Sequence, residues 1–144
     1  MSHANDHSAL IRKGKFDVFV SHTPEDHPWA AQFNTALREQ GVKTWFDASD
    51  LAPGDSISAT IQQALRDCQI LVIIYHPSMA DIPMTYFELG AAVADGKRII
   101  PVAIQQDGET RQLPVFLSRF QAITEASPEQ AAQQVAKLSL AVSA

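Results

Sequence analysis

The sequence predicts a single α/β domain in which a parallel sheet carries helices on both faces. Three observations predict it. Short runs rich in β-branched and aromatic residues alternate with amphipathic helical stretches along the whole chain. One of those runs, ILVIIY at 70–75, is apolar without interruption, as in a strand covered on both faces. And 144 residues, 46% of them hydrophobic and 19% charged, suffice for one buried core without disulfides or metal.

Taken in order, residues 1–15 are polar and aperiodic and read as a loose arm, and 16–144 form the domain. His3, Asp6 and His7 have the chemistry of metal ligands, but nothing in the arm orders them, so no metal site is assigned. FDVFVS at 16–21 is the first strand. Trp29, Phe33 and Leu37 then recur at four-residue spacing, the mark of an amphipathic helix, and Gly41 stops it. The charges of Glu25 and Asp26 complement that helix's N-terminal dipole. VKTWF at 42–46 is the second strand. DASDLAPG at 47–54 is a polar loop with a Pro-Gly turn.

Ile57, Ile61, Leu65 and Cys68 mark a second helix, capped by Asp55 or Ser56, which leads into the strand 70–75. His76-Pro77-Ser78 is a loop at that strand's C-terminal end that could border a site, with a plain loop the simpler role for His76. A third helix is predicted from Pro83 to Asp95, stopped by Gly96. RIIPVAI at 98–104 is a fourth strand, whose Pro101 suggests an edge or a bulge. Residues 105–111 read as a polar loop and 120–123 as a short fifth strand. Ser127-Pro128-Glu129-Gln130 has the form of a capping box and opens a last helix with Ala131, Val135 and Leu138 inward. The expected architecture is a flavodoxin-like, doubly wound, five-stranded parallel sheet.

Charge and cysteine usage narrow the function. A formal net charge of −5 argues against nucleic acid or an anionic membrane as partner, since both reward a basic face. The single Cys68 excludes an intrachain disulfide and a cysteine-based zinc site, and fits a reducing cytoplasm. Residues 1–15 lack a secretory apolar region, and no apolar run reaches the roughly 18 residues of a membrane span. Dinucleotide-binding GxGxxG, P-loop and GxSxG motifs are all missing from the sequence. Cys68 lies on the second helix's apolar stripe and reads as a small buried hydrophobe, not a nucleophile.

In a doubly wound sheet the ligand site lies beyond the C-terminal ends of the strands. Glu88, on the helix after the third strand, is the candidate there. It is the only charged residue between Ile82 and Ala94. A solvated helix face normally carries several charges. Gly90, two residues later, costs up to about 1 kcal/mol in a helix interior and points to a close backbone or ligand approach. One carboxylate in a cleft can stabilise an oxocarbenium-like centre, orient ribose hydroxyls or attack C1′. When the leaving group is already cationic, as nicotinamide is in NAD+, it departs neutral and no general acid is needed.

The first strand DVFVSH, the loop LAPGDSI, the run CQILVIIYHPSM and the helix segment YFELG, in that order and spacing, resemble a TIR (Toll/interleukin-1 receptor) domain of the bacterial type. The resemblance covers the chain from about Lys15 onward. It implies that Glu88 is the glutamate that cleaves NAD+ as substrate, with no further cofactor. It implies nucleotide-binding roles for Ser21, His22, Thr23, Trp45, Asp47 and Met84. It also makes Leu51, Pro53 and Gly54 an assembly and gating loop through which TIR domains self-associate. Four of these positions have a plainer reading: strand-end turn for Ser21, polar rim for His22, core for Trp45, turn cap for Asp47. Met84 stands where TIR NADases often carry Trp, four residues before the glutamate on the same helix face.

The resemblance thus implies an NAD+ glycohydrolase or ADP-ribosyl cyclase activated by self-assembly, a bacterial defence or signalling effector. One alternative is a TIR interaction module without catalysis. Another comes from the segment YFELGAAVADGKRIIPV, which also resembles the nucleoside 2-deoxyribosyltransferases, where a glutamate in a similar context attacks C1′.

Overall fold

The computed structural model describes residues 16–46, 63–64, 66–78 and 96–143. Strand β1 (Val18–Ser21) leads through a 3-10 turn (Pro24–Asp26) into helix α1 (His27–Glu39), and β2 (Thr44–Phe46) follows. After helical residues 63–64 and 66–67 comes β3 (Ile70–Ile74). Then follow β4 (Arg98–Gln106), β5 (Glu109–Thr110), the short α2 (Val115–Ser118), β6 (Ile123–Glu125) and α3 (Pro128–Ser143). The helix expected from Pro83 to Asp95, the loop 47–54 and the arm 1–15 lie outside the described residues.

The sheet is parallel and doubly wound. β1 pairs β2 on one side and β3 on the other, β3 pairs β4, and β4 pairs β6, all parallel. Five parallel strands therefore stand in the order β2-β1-β3-β4-β6, and the strand order reverses between β1 and β3. Because successive strand side chains alternate faces, each apolar run feeds two cores. Val18, Val20, Ile70, Val72, Ile74, Ile100 and Val102 meet α1 and α3 through Phe33, Leu37, Ala131 and Val135. Phe19, Trp45, Leu71, Ile73, Tyr75 and Ile99 face the other way, against Ala64, Cys68 and Leu117.

Local sequence explains the helix ends. Gly41 takes φ +87°, the left-handed conformation that glycine tolerates best. The Val42 N–H then reaches the Leu37 carbonyl at 3.1 Å and the Gly41 N–H the Arg38 carbonyl at 3.0 Å, a Schellman stop. Leu37 and Val42 are both in the core, the apolar contact that accompanies this motif. At α3, the Gln130 N–H donates to Ser127 Oγ at 3.2 Å, as the capping pattern predicts. Ala131 and Val135 are fully buried there, and Leu138 is half-buried.

Three details differ from the sequence reading. Residues 105–111 form a hairpin, not a loop: β4 runs on to Gln106, turns at Asp107-Gly108 and returns antiparallel as β5. Both turn residues have positive φ, 54° and 78°, the two-residue geometry for which Asp-Gly is preferred. The sheet consequently has six strands instead of five.

Second, Pro101 lies in an internal strand. The Arg98 N–H and the Val102 carbonyl both face β3, so alternation turns the Pro101 nitrogen toward β6. Pairing with β6 starts only at Val102, so no ladder donor is lost. Third, the last strand is Ile123–Glu125 and not 120–123, because Phe120 packs into the second core instead of extending the ladder.

Candidate functional site

The crevice outside the carboxyl ends of β1 and β3, where strand order reverses, is where this fold binds ligands. Four segments converge on that end: the stretch after β1, the end of β2, the stretch after β3, and the β4–β5 hairpin. Each is delivered by a buried apolar strand, so its position follows from the core.

After β1, Ser21 and His22 are half-buried and Thr23 is buried. The His22 ring stacks on Phe46 at the end of β2, with centroids 4.8 Å apart and planes 7° from parallel. His22 Nε2 and His27 Nδ1 lie 3.1 Å apart, a hydrogen bond in which one ring donates and the other accepts. His27 also tilts against Phe46 at 5.6 Å. His22 is thus part of an imidazole–phenyl cluster that joins the first two strand ends, a more built position than a rim.

Trp45 is placed differently from its expected binding role. It is only 4% exposed and stacks on Phe19 at 4.8 Å within the second core. Strand alternation decides this: Trp45 and Phe46 point to opposite faces, and Phe46 is the one beside His22. Asp47, Leu51, Pro53, Gly54, Met84 and Glu88 lie outside the described residues.

Sequence reading missed the strongest polar contact. Asp26, which the sequence reads as a dipole complement, is buried. Both its oxygens accept from Arg111, at 2.6 Å from Nη1 and 2.9 Å from Nη2. Nη1 also donates to the Tyr75 carbonyl at 2.9 Å, and Nη2 to Gln106 Oε1 at 3.4 Å. One guanidinium therefore ties the turn after β1, the end of β3 and the hairpin together. The hairpin makes this possible. Its Arg111 N–H returns to the Ile104 carbonyl at 3.3 Å, on the same side of β4 as the Val102 carbonyl that serves β3. The hairpin so folds back over the end of β3. Nothing in the sequence links two residues this far apart, although the Asp-Gly dipeptide signals the hairpin that carries one of them.

A second contact crosses the same gap. Ser78 Oγ lies 3.5 Å from Glu25 Oε1 and 2.9 Å from His76 Nδ1. The Glu25 carboxyl is held below the usual range, chiefly by a hydrogen bond from its own backbone N–H, with smaller help from His76 and Ser78. Burial pushes the Cys68 thiol up, which keeps it protonated and inert. Among the described residues, no cluster of three or more metal-ligating side chains occurs.

A cavity of about 470 Å³ opens elsewhere, beside Arg98, Ile100, Ile123 and Lys137. It lies at the starts of β4 and β6. The crevice is the better candidate site, because convergent polar groups gather there and the fold reverses there.

A parallel sheet in this order, with a polar crevice at the β1–β3 reversal, is the flavodoxin-like doubly wound class of ligand-binding domain. The TIR domain family matches residues 18–139, and the chain belongs to that family. Among its relatives is the probable 2' cyclic ADP-D-ribose synthase BdTIR of Brachypodium distachyon, 29% identical over 92 residues, or 62% of this chain and 41% of that protein. The 2' cyclic ADP-D-ribose synthase BtTIR of Bacteroides thetaiotaomicron is 31% identical over 90 residues, 60% of this chain and 31% of that protein. The chain thus spans less than half the length of these curated relatives. The TIR domain of the Toll-related receptor TRR-2 from Hydra magnipapillata shares the fold, with a TM-score of 0.65 at 20% identity over 87% of this chain and 94% of that one.

Proposed function

We propose that this domain cleaves the bond between nicotinamide and ribose in NAD+, with Glu88 as the carboxylate at the reacting carbon. The observation that carries the reading is the chain's likeness to proteins named as 2' cyclic ADP-D-ribose synthases. The isolation of Glu88 in an otherwise uncharged segment, after a strand that ends in the crevice, supports its role.

The chemistry is spare. The bond from C1′ to the nicotinamide nitrogen breaks and its electron pair returns to the pyridinium ring, which leaves neutral. The Glu88 carboxylate stabilises the positive charge that develops at C1′. Attack by water, with loss of its proton, gives ADP-ribose. Attack by a hydroxyl of the same molecule, again with loss of a proton, gives a cyclic ADP-ribose. NAD+ is the substrate, and no further cofactor enters.

Ser21, His22 and Thr23 border the nucleotide after β1, and Asp47 and Met84 complete its contacts. The loop with Leu51, Pro53 and Gly54 packs against a neighbouring copy and gates the crevice, so activity rises on self-assembly. A cytoplasmic setting suits the buried free thiol, and no described helix is long and apolar enough to cross a membrane. The test is to incubate the chain, dilute and then concentrated, with NAD+ and to follow nicotinamide release and product mass by chromatography. Release that disappears in Glu88→Gln supports the reading. Undiminished release in that variant contradicts the role of Glu88, and no release at any concentration contradicts the activity.

One observation favours a second reading, an interaction module without turnover. Met84 offers a ring less stacking surface than the Trp expected there. Self-association with no NAD+ loss in the assembled state would select it.

A further inference from the structure

His76 stands directly after β3, at the point where strand order reverses. Its ring is held by the next turn of chain. Nδ1 accepts the Ser78 backbone N–H at 3.1 Å and faces Ser78 Oγ at 2.9 Å. A backbone amide can only donate, so Nδ1 bears no proton while that bond is made. The neutral ring then carries its proton on Nε2. With Nδ1 accepting, the single Ser78 hydroxyl proton at 2.9 Å also goes to Nδ1, and Glu25 Oε1 lies 3.5 Å from Oγ on the other side of the reversal. Among the described residues, nothing accepts a hydrogen bond from Nε2. The side chain is only half-buried.

The surroundings define what such a donor serves. The turn after β1 places the carboxylates of Glu25 and Asp26 at this end of the sheet. Arg111, which would otherwise balance them, has both terminal nitrogens engaged by Asp26, Tyr75 and Gln106. A dinucleotide brings two phosphates to the same end. Those phosphates need N–H donors not already taken by an acid.

We infer that His76 is a substrate-binding residue whose Nε2–H donates to a phosphate oxygen of the dinucleotide. This inference rests on the NAD+ reading above. It gives His76 a part in holding the substrate and none in breaking the bond. The Ser78 N–H acts as the positioning partner that fixes which nitrogen carries the proton.

The experiment compares the wild type with His76→Ala and His76→Gln, since the glutamine amide can present a donor near the Nε2 position. In steady-state NAD+ cleavage, His76→Ala raises KM about tenfold, the loss of one hydrogen bond to a charged acceptor, and leaves kcat within about twofold. His76→Gln recovers most of the KM. In calorimetric titration, ADP-ribose, which has both phosphates, binds His76→Ala about tenfold more weakly than wild type, while nicotinamide riboside, which has none, binds both equally. Thermal melting checks that each variant is folded.

An unchanged KM in folded His76→Ala overturns the inference, as does a fall in kcat alone. Equal impairment of the Gln variant, or equal weakening of nicotinamide riboside, overturns it too, by assigning His76 a general structural role. If the wild type releases no nicotinamide, the glycohydrolase reading fails. The two titrations still decide for or against His76 in that case, and no binding of ADP-ribose to the wild type counts against it.

Discussion

The two ends of the parallel sheet are held together by different means. At the N-terminal ends of the strands the links run mostly through the main chain. The Asp17 N–H donates to the Lys43 carbonyl at 2.7 Å, the Ile70 N–H to the Asp17 carbonyl at 3.1 Å, and the Arg98 N–H to the Gln69 carbonyl at 3.2 Å. Lys97 adds a cap by donating to the Cys68 and Arg66 carbonyls. At the C-terminal ends, main-chain bonds such as Tyr75 N–H to the Val102 carbonyl are joined by side-chain links: Arg111 to Asp26, Ser78 to Glu25, His22 to His27. Main-chain links depend little on residue identity, whereas side-chain links require particular residues. A domain that needs only to fold can close both ends the first way. The second kind gathers at the end of the sheet where doubly wound folds bind ligands.

Substitutions at the two ends should therefore separate. The largest effect is expected from Arg111→Ala. It strands the buried Asp26 carboxylate without its cation and removes the donor to Tyr75, a loss of about 3–5 kcal/mol. Thermal or urea unfolding reads it. A loss below about 1 kcal/mol would mean that the pair does not hold the three segments. Next comes Glu88→Gln, which lowers NAD+ cleavage about 100-fold or more and leaves the melting temperature unchanged. Activity within a few fold of wild type would remove Glu88 from the chemistry.

Smaller effects sharpen the contrast. Asp17 Oδ2 accepts the Lys43 N–H at 2.9 Å, at the N-terminal end. Asp17→Ala is expected to lower stability by about 1 kcal/mol without changing KM or kcat of the folded fraction. A changed KM would show that the two ends are coupled. Ser127→Ala removes the cap on α3 and should also cost about 1 kcal/mol, again with activity intact. Equal stability of that variant and wild type, measured by chemical denaturation, would mean that the cap contributes nothing.

Much of the fold was legible because its causes are local. The run 70–75 announces a doubly covered strand, the spacing of Phe33 and Leu37 a helix face, Gly41 a stop and Ser127 a start. The hairpin was equally local. Asp107-Gly108 signals it, but the polar residues on either side read as a loop. Pro101 misled because its effect depends on which neighbour its nitrogen faces, and that is set by where β6 begins.

The site was less legible. Topology alone puts Ser21–Thr23 after β1, at the carboxyl end of the sheet, while the ring partners of His22 are not signalled by any residue near it in sequence. Trp45 drew attention as an aromatic at a strand end, yet the alternation of a strand buried on both faces turns it into the core and leaves Phe46 beside His22. The Asp26–Arg111 pair joins residues 85 positions apart, and sequence spacing carries no trace of it. His76 reads as loop at a strand end, and the Ser78 N–H bond that orients its ring has no signal in the sequence.

The central claim is that the side-chain-built end of the sheet is the NAD+ site. Amide chemical shifts of isotope-labelled Glu88→Gln chain, titrated with NAD+ that this variant does not consume, test it most directly. The expected result is that Ser21–Thr23, Tyr75–Ser78 and Gln106–Arg111 shift together with saturation, while Arg98–Ile100 and Gln121–Ile123 stay still. Shifts concentrated at the starts of β4 and β6, or no saturable shift anywhere, would contradict it.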